Sequence, residues 1–164
     1  MGFFLDLSQP FRILSPVFST SFTETQNSHT LMISGVLDTH TILWFLAGDP
    51  RLSATAKTFI INASAAGNDL AISSITLVEM VYLIEKDRIP AGRFIQIINM
   101  TRQVGAGLIE IAVDAEIARF LSKTDIIKVP DMPDRTIAAT ALYLQVPIVS
   151  KDSKIQLSGL AIIW

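Results

Sequence analysis

The sequence predicts an α/β fold, in which a mostly parallel central sheet lies between layers of helices. Short apolar runs alternate with amphipathic segments from Leu31 onward, and this alternation is typical of parallel strands joined by right-handed helical crossovers. The length of 164 residues suits one domain with a full core. Because 50% of the residues are hydrophobic and only 17% are charged, a disordered protein is excluded.

The first elements follow from apolar runs and the turn residues between them. Leu31–Leu37 is predicted as a buried strand, and Thr41–Ala47 as a short helix that a Gly-Asp-Pro turn closes. Ser53 has the position of an N-cap for a helix that runs to about Ala66, where a Gly-Asn-Asp turn follows. Leu70–Ser73 is the second predicted strand.

Apolar residues at three- and four-residue spacing then predict a helix whose buried face holds Leu77, Met80, Val81 and Ile84. The remaining elements alternate in the same way. They are a helix over Ala91–Gln103, a strand over Leu108–Ala112, a helix capped by Asp114 that runs to about Ser122, a helix from near Pro133 through Leu144, and strands over Val146–Ser150 and Leu160–Trp164.

Residues 1–31 differ from the rest of the chain and are predicted to be a poorly ordered extension of a domain over 32–164. They hold five of the nine Phe residues and only three charges, with no clear period. Met32 lies at the beginning of the first predicted strand, and translation from this residue is an alternative start of the protein. A membrane span is not predicted, since the longest apolar run is Ile42–Ala47. The N-terminus is a poor secretory signal, because it has no basic region and Asp6 and Arg12 interrupt its apolar stretch, so the expected location is the cytoplasm.

Acidic residues follow several predicted strands, at the edge where α/β sheets bind their ligands. Asp38 ends the first strand, and Asp152 lies just beyond Val146–Ser150. Asp134 is in the first turn of a late helix, and Glu79 flanks the apolar face of another. The sequence therefore predicts that four carboxylates converge in one small pocket.

Four carboxylates at close range repel one another, and a hard dication is the usual way to neutralise them. Mg²⁺ and Mn²⁺ prefer oxygen ligands, and a bound ion activates water and stabilises charge on a phosphoryl group. Cys is absent, which excludes disulfide scaffolds, zinc ribbons and thiol catalysis. Each acid taken alone is more often a helix cap or turn residue. That ordinary role is expected for Asp49 and Asp114. Asp131 is either an outer acid of the site or a turn residue before Pro133, and the turn is favoured.

Four segments carry a resemblance to PIN-domain nucleases, in the order and spacing of that family. The segments are Leu37–Trp44, Ile72–Glu79, Asp131–Ala141 and Pro147–Asp152. The resemblance covers about residues 32–164. Within the family, the chain is most similar to VapC-type toxins of bacterial toxin–antitoxin modules.

This resemblance implies a PIN-like three-layer α/β/α sandwich with an acidic metal site that hydrolyses RNA. Asp38 and Asp152 would be primary ligands of Mg²⁺ or Mn²⁺, and Asp134 would complete or bridge the site. Glu79 would hold a water of the ion's shell or act as its base. The implied supporting residues are Thr39, Ser150 and Arg135, of which the last would pair with its neighbouring acid or meet a phosphate.

The resemblance also implies a small antitoxin partner and a homodimer. Two alternatives stay open: a catalytically inactive PIN-like interaction module, and a housekeeping RNA-processing nuclease. Aspartate phosphatases are disfavoured because they need Asp-x-Asp after the first strand, where this chain has Asp38-Thr39-His40.

The net charge of −2 does not exclude an RNA substrate. Setting the four candidate ligands aside leaves 11 of the 15 acidic residues against 13 basic ones. The acidity is therefore local to the predicted site, where a cation would neutralise much of it.

Overall fold

The structure is a computed structural model that describes residues 32–156 and 158–164. Within these ranges the strands are β1 (Ile33–Leu37), β2 (Asp69–Ser73), β3 (Leu108–Ile111), β4 (Ile148–Val149) and β5 (Ile162–Ile163). The helices are α1 (Thr39–Ala47), α2 (Ala54–Ala65), α3 (Ser74–Glu85), α4 (Ala91–Arg102), α5 (Ala115–Leu121), α6 (Met132–Leu144) and α7 (Ser153–Gln156). No helix of the described ranges has the length and apolar content that crossing a bilayer requires. The extension predicted for 1–31 lies outside these ranges, and its boundary stays a prediction.

The five strands form one sheet in the order β3-β2-β1-β4-β5, and every pairing is parallel. From β1 the chain passes outward through β2 to β3 and then returns to β4 on the other side of β1. This reversal opens a crevice at the carboxyl ends of β1 and β4, which is where ligands bind in such sheets. The predicted parallel α/β fold is confirmed.

Alternate residues of the inner strands point to opposite faces of the sheet and enter two separate cores. Leu37 and Ile72 belong to one core, whereas their neighbours Val36 and Ala71 belong to the other. Side chains of α1, α2 and α4 complete the first core: Ile42, Ile60 and Ile97. Side chains of α6 and α7 complete the second: Ile137, Ala138, Ala141 and Ile155. The sheet is therefore covered on both faces, as a three-layer sandwich requires.

Three local predictions need correction. Helix α1 begins at Thr39, two residues earlier than expected, because Asp38 takes the extended N-cap conformation. Val81 was expected on the buried face of α3 but is 42% exposed, since α3 buries a narrower face around Met80. Helix α7 was not predicted, because four residues are too few to show a helical period.

Gly35 in β1 lies against Phe59 of α2. A methyl group at this position would stand 3.1 Å from the Phe59 ring and 3.2 Å from the Pro147 carbonyl oxygen. We expect Gly35→Ala to lower the free energy of unfolding in urea by about 1–3 kcal/mol. Gly92→Ala is the matched control, because Gly92 in α4 has open space around it and helical Ala is favoured over Gly. Equal stability of the two variants would contradict this packing.

Candidate active site

Asp38 occupies the junction between β1 and α1 and is only 4% exposed. Its backbone has the N-cap conformation of α1, yet its side chain makes no capping hydrogen bond. Instead, Oδ2 accepts a hydrogen bond of 2.8 Å from the Ser150 hydroxyl, just beyond β4. Burial raises the Asp38 pKa above its ordinary value, and the hydrogen bond from Ser150 opposes this rise. The side chain has therefore left its usual capping role and faces the crevice.

Ser150 joins two of the predicted acids. Its Oγ donates to Asp38 and accepts a hydrogen bond of 3.0 Å from the backbone N–H of Asp152. The Asp152 carboxylate caps α7, because Oδ1 accepts from the backbone N–H groups of Lys154 at 2.7 Å and Ile155 at 3.3 Å. Both capping bonds fall on Oδ1. Ser150 thus links the segment after β4, which carries Asp152, to Asp38 at the end of β1.

Glu79 enters the site from α3, beside Thr39 at the start of α1. A hydrogen bond of 3.3 Å joins the buried hydroxyls of Thr39 and Thr76 and so ties α1 to α3. Burial raises the Glu79 pKa above its ordinary value, and the negative charges of Asp38 and Asp131 add to the rise. A hydrogen bond from the Thr39 side chain and the charge of His40 act in the opposite direction. Thr39 therefore links the first and second predicted acids.

Asp134, in the first turn of α6, shows how closely the acids are grouped. Burial is the largest cause that raises its pKa to about 7. The other causes are the negative charges of four carboxylates: Asp152, Asp38, Asp131 and Glu79. All four predicted acids thus lie within one electrostatic site.

Two neighbours of Asp134 behave differently from expectation. Arg135 does not pair with it: the guanidinium donates to Thr124 Oγ1 and to the Leu121 carbonyl oxygen, each at 3.3 Å, at the end of α5. Consecutive helix residues point in different directions, so Asp134 can face the crevice while Arg135 faces α5. Asp131 is at the N-cap position of α6 without a side-chain capping bond, and its charge acts on both Glu79 and Asp134. It is a fifth acid at the margin of the site.

The donor set fits a hard divalent cation that keeps part of its water shell. No group of three or more acidic, His or Cys side chains in 32–156 and 158–164 is arranged to hold a metal by itself. Mg²⁺, however, usually takes only one or two protein carboxylates and retains several waters. A cavity of about 430 Å³ that both Asp38 and Asp152 line has room for such an ion with its waters.

Comparison with known protein families shows to which family this chain belongs. The PIN domain model matches residues 35–158, which is most of the chain. The chain belongs to the PIN-domain family. The family resemblance inferred from the four sequence segments is thereby confirmed, and all four segments lie wholly in the matched range together with every predicted acid.

Individual proteins of known sequence or structure are similar to this PIN domain. Ribonuclease VapC22 of Mycobacterium tuberculosis is 26% identical over 125 residues, which cover 76% of this chain and 92% of the relative. The crystal structure of VapBC2 from Rickettsia felis, bound to a DNA fragment from their promoter, has a TM-score of 0.58 at 17% identity. That match covers 79% of this chain and 97% of the other. FitAcB from Neisseria gonorrhoeae has a TM-score of 0.49 at 15% identity, covering 77% of this chain and 94% of the other.

The raised carboxyl pKa values predict how the stability of the metal-free PIN domain depends on pH. Asp134 has an ordinary pKa of 3.8 and a folded pKa of about 7, so between these values the folded protein keeps a proton that the unfolded chain releases. The contribution of the protonated Asp134 side chain to stability is therefore fully present below about pH 4 and is lost as the pH rises to about 7. The pKa values of Asp38 and Glu79 are also raised, so these two groups act in the same direction. Asp49, whose pKa is lowered to about 2, acts only below this window.

Urea unfolding in EDTA at pH 5 and pH 8 measures this dependence. We expect the wild type to be more stable at pH 5, and Asp134→Asn to show a smaller difference between the two values. Asp114→Asn is the control, because Asp114 caps α5 through the backbone N–H groups of Glu116 and Ile117. Greater wild-type stability at pH 8 would contradict the prediction.

Proposed function

We propose that this PIN domain is a metal-dependent endoribonuclease and the toxin component of a toxin–antitoxin module. The observation that carries the proposal is that Asp38 and Asp152, just beyond β1 and β4, share one electrostatic site with Asp134 of α6 and Glu79 of α3. Family membership and the similarity to ribonuclease VapC22 support RNA as the substrate. These like charges repel one another and lower the stability of the fold, and an inactive interaction module would gain nothing from them.

Asp38 and Asp152 would hold Mg²⁺ or Mn²⁺, and Asp134 would complete the site. Carboxylate oxygens are the ligands that these ions prefer. When bound, such an ion lowers the pKa of a water molecule and neutralises charge on the scissile phosphate. Ser150 positions both primary ligands, since its hydroxyl contacts the Asp38 carboxylate and the Asp152 backbone.

Glu79 is the proposed base that takes a proton from the attacking water. Its raised pKa makes it a better base at neutral pH than an ordinary carboxylate. Thr39 fixes its orientation through the contacts that join α1 to α3. His40 is exposed, and its charge favours the ionised forms of both Asp38 and Glu79.

The same proposal includes an antitoxin protein, a homodimer and a cytoplasmic site of action, where the RNA substrate is found. The described surface carries exposed apolar side chains suited to protein contacts. On α3, Val78 is 50% and Tyr82 is 58% exposed.

Cleavage of a circular single-stranded RNA tests the endonuclease proposal, because a circle has no ends for an exonuclease to attack. We expect the full chain with Mg²⁺ or Mn²⁺ to convert the circle into linear products. An intact circle under both conditions would support the inactive interaction module instead.

A further inference from the structure

Two neighbouring cavities share part of their lining, and one of them lies at the carboxyl ends of β1 and β4. One, of about 430 Å³, contains Asp38 and Asp152. The other, of about 380 Å³, lies between α1 and the α3–α4 connection and contains Arg88 and Arg93. The two cavities share the side chains of His40, Trp44 and Arg51. We call the path formed by His40, Trp44, Arg51, Arg88 and Arg93 the arginine groove, and it leads directly away from the acids.

Arg51 offers a flat surface rather than a free charge. Its Nε and Nη2 donate to the two carboxylate oxygens of Asp49 at 2.9 and 2.6 Å, which occupies the fork that would otherwise hold a phosphate. The guanidinium also lies 5.0 Å from the centre of the Trp44 ring. The ring of His40, which is exposed, also packs against Trp44, with 5.6 Å between the ring centres. Trp164 packs against Trp44 too, with 5.9 Å between the ring centres. Arginine planes and aromatic rings of this kind stack with unpaired nucleobases.

Arg88 and Arg93 differ from Arg51 because no ion pair neutralises them among residues 32–156 and 158–164. Arg93 Nη1 donates to the Leu46 carbonyl oxygen at 3.0 Å and to Gln96 Oε1 at 2.9 Å, which fixes it at the end of α1. Arg88 is exposed at the start of the α3–α4 connection. Uncompensated arginines beside a stacking surface are suited to backbone phosphates.

We propose that the arginine groove binds a single-stranded segment of the RNA next to the scissile phosphate. A base of this segment stacks on Arg51 and His40, while Arg88 and Arg93 contact phosphates further along the strand. This inference rests on the proposed ribonuclease function, because the groove opens into the carboxylates of Asp38 and Asp152. It makes Arg51 and Arg88 positioning residues with different tasks.

The difference between the two tasks allows a sharp test by RNA binding. Fluorescence anisotropy measures the affinity of the full chain for a labelled single-stranded oligonucleotide, in EDTA and at several salt concentrations. Arg51→Ala removes stacking and is expected to weaken binding roughly 5- to 150-fold with little change in salt dependence. Arg88→Gln removes a phosphate contact and is expected to lower the slope of log affinity against log salt by about 0.7.

Arg102→Gln is the matched control. Arg102 is an exposed arginine in the last turn of α4, beside the first residues of β2 and β3 at the opposite edge of the sheet. We expect its affinity and salt slope to equal those of the wild type. Circular dichroism on each variant confirms that the fold is intact. Oligonucleotides with one abasic position locate the stacked base, since its loss should weaken binding to the wild type but not to Arg51→Ala.

The outcomes separate this inference from the proposed function. Unchanged affinity in both Arg51→Ala and Arg88→Gln overturns the proposal that the groove binds RNA, even if the protein cleaves RNA. Absence of wild-type binding to the oligonucleotide also overturns it. If binding depends on both arginines but the protein does not cleave RNA, the result supports the RNA-binding groove and contradicts the proposed ribonuclease function.

Discussion

Asp38→Asn is expected to reduce the rate of RNA cleavage by roughly 1,000-fold or more, because it removes the charge of a proposed primary metal ligand, the most buried of the four acids. The fold should survive the change. Asparagine has the same shape, and its oxygen can still accept the hydrogen bond from Ser150. The metal-free variant should be at least as stable as the wild type at neutral pH. Burial raises the Asp38 pKa, so the ionised carboxylate destabilises the folded state.

Asp69→Asn is the control for this substitution. Asp69 is also buried in the sheet, at 7% exposure, but it begins β2 and so lies at the opposite edge from the crevice. We expect this variant to cleave RNA at close to the wild-type rate. Retained cleavage in Asp38→Asn would remove Asp38 from the proposed mechanism.

Divalent cations are expected to stabilise the folded protein substantially. At an ion concentration of 100 times the dissociation constant, binding adds about 2.7 kcal/mol to the free energy of unfolding. The gain should be larger at pH 8 than at pH 6, because Asp134, with a pKa of about 7, must lose its proton before it can face a cation. Urea unfolding with Mn²⁺ or EDTA at the two pH values measures both effects.

Two variants show whether this stabilisation comes from the proposed site. Asp152→Asn should lose most of the gain, while Asp114→Asn, whose carboxyl group caps α5, should keep it. If both variants gained equally from Mn²⁺, the ion would be bound elsewhere.

The positions of the principal acids could be predicted because they depend on the main chain. Asp38 and Asp152 follow parallel strands, whose carboxyl ends meet at one edge of the sheet. Asp134 and Glu79 could be placed near them from helix position alone. The five-stranded parallel sheet and its two helical layers follow from the same alternation of apolar runs.

Side-chain partners could not be predicted, because several partners compete for each polar group. Nothing in the sequence shows that Asp38 leaves its capping position for Ser150 while Asp114 keeps its own. Arg135 was expected to pair with Asp134 or to meet a phosphate, yet it donates to the carbonyl oxygen of Leu121 at the end of α5. No sequence pattern predicts a role for Arg51, because its contact with Trp44 depends on the conformation of the turn after α1.

Cleavage of a defined single-stranded RNA by EDTA-treated wild-type protein, followed as Mn²⁺ is added, tests the central claim most directly. The proposed mechanism predicts no cleavage in EDTA and a rate that rises with Mn²⁺ to saturation, because the four carboxylates need a cation to bring a phosphate into their site. Cleavage at an undiminished rate in EDTA would contradict a metal-dependent site at Asp38, Glu79, Asp134 and Asp152.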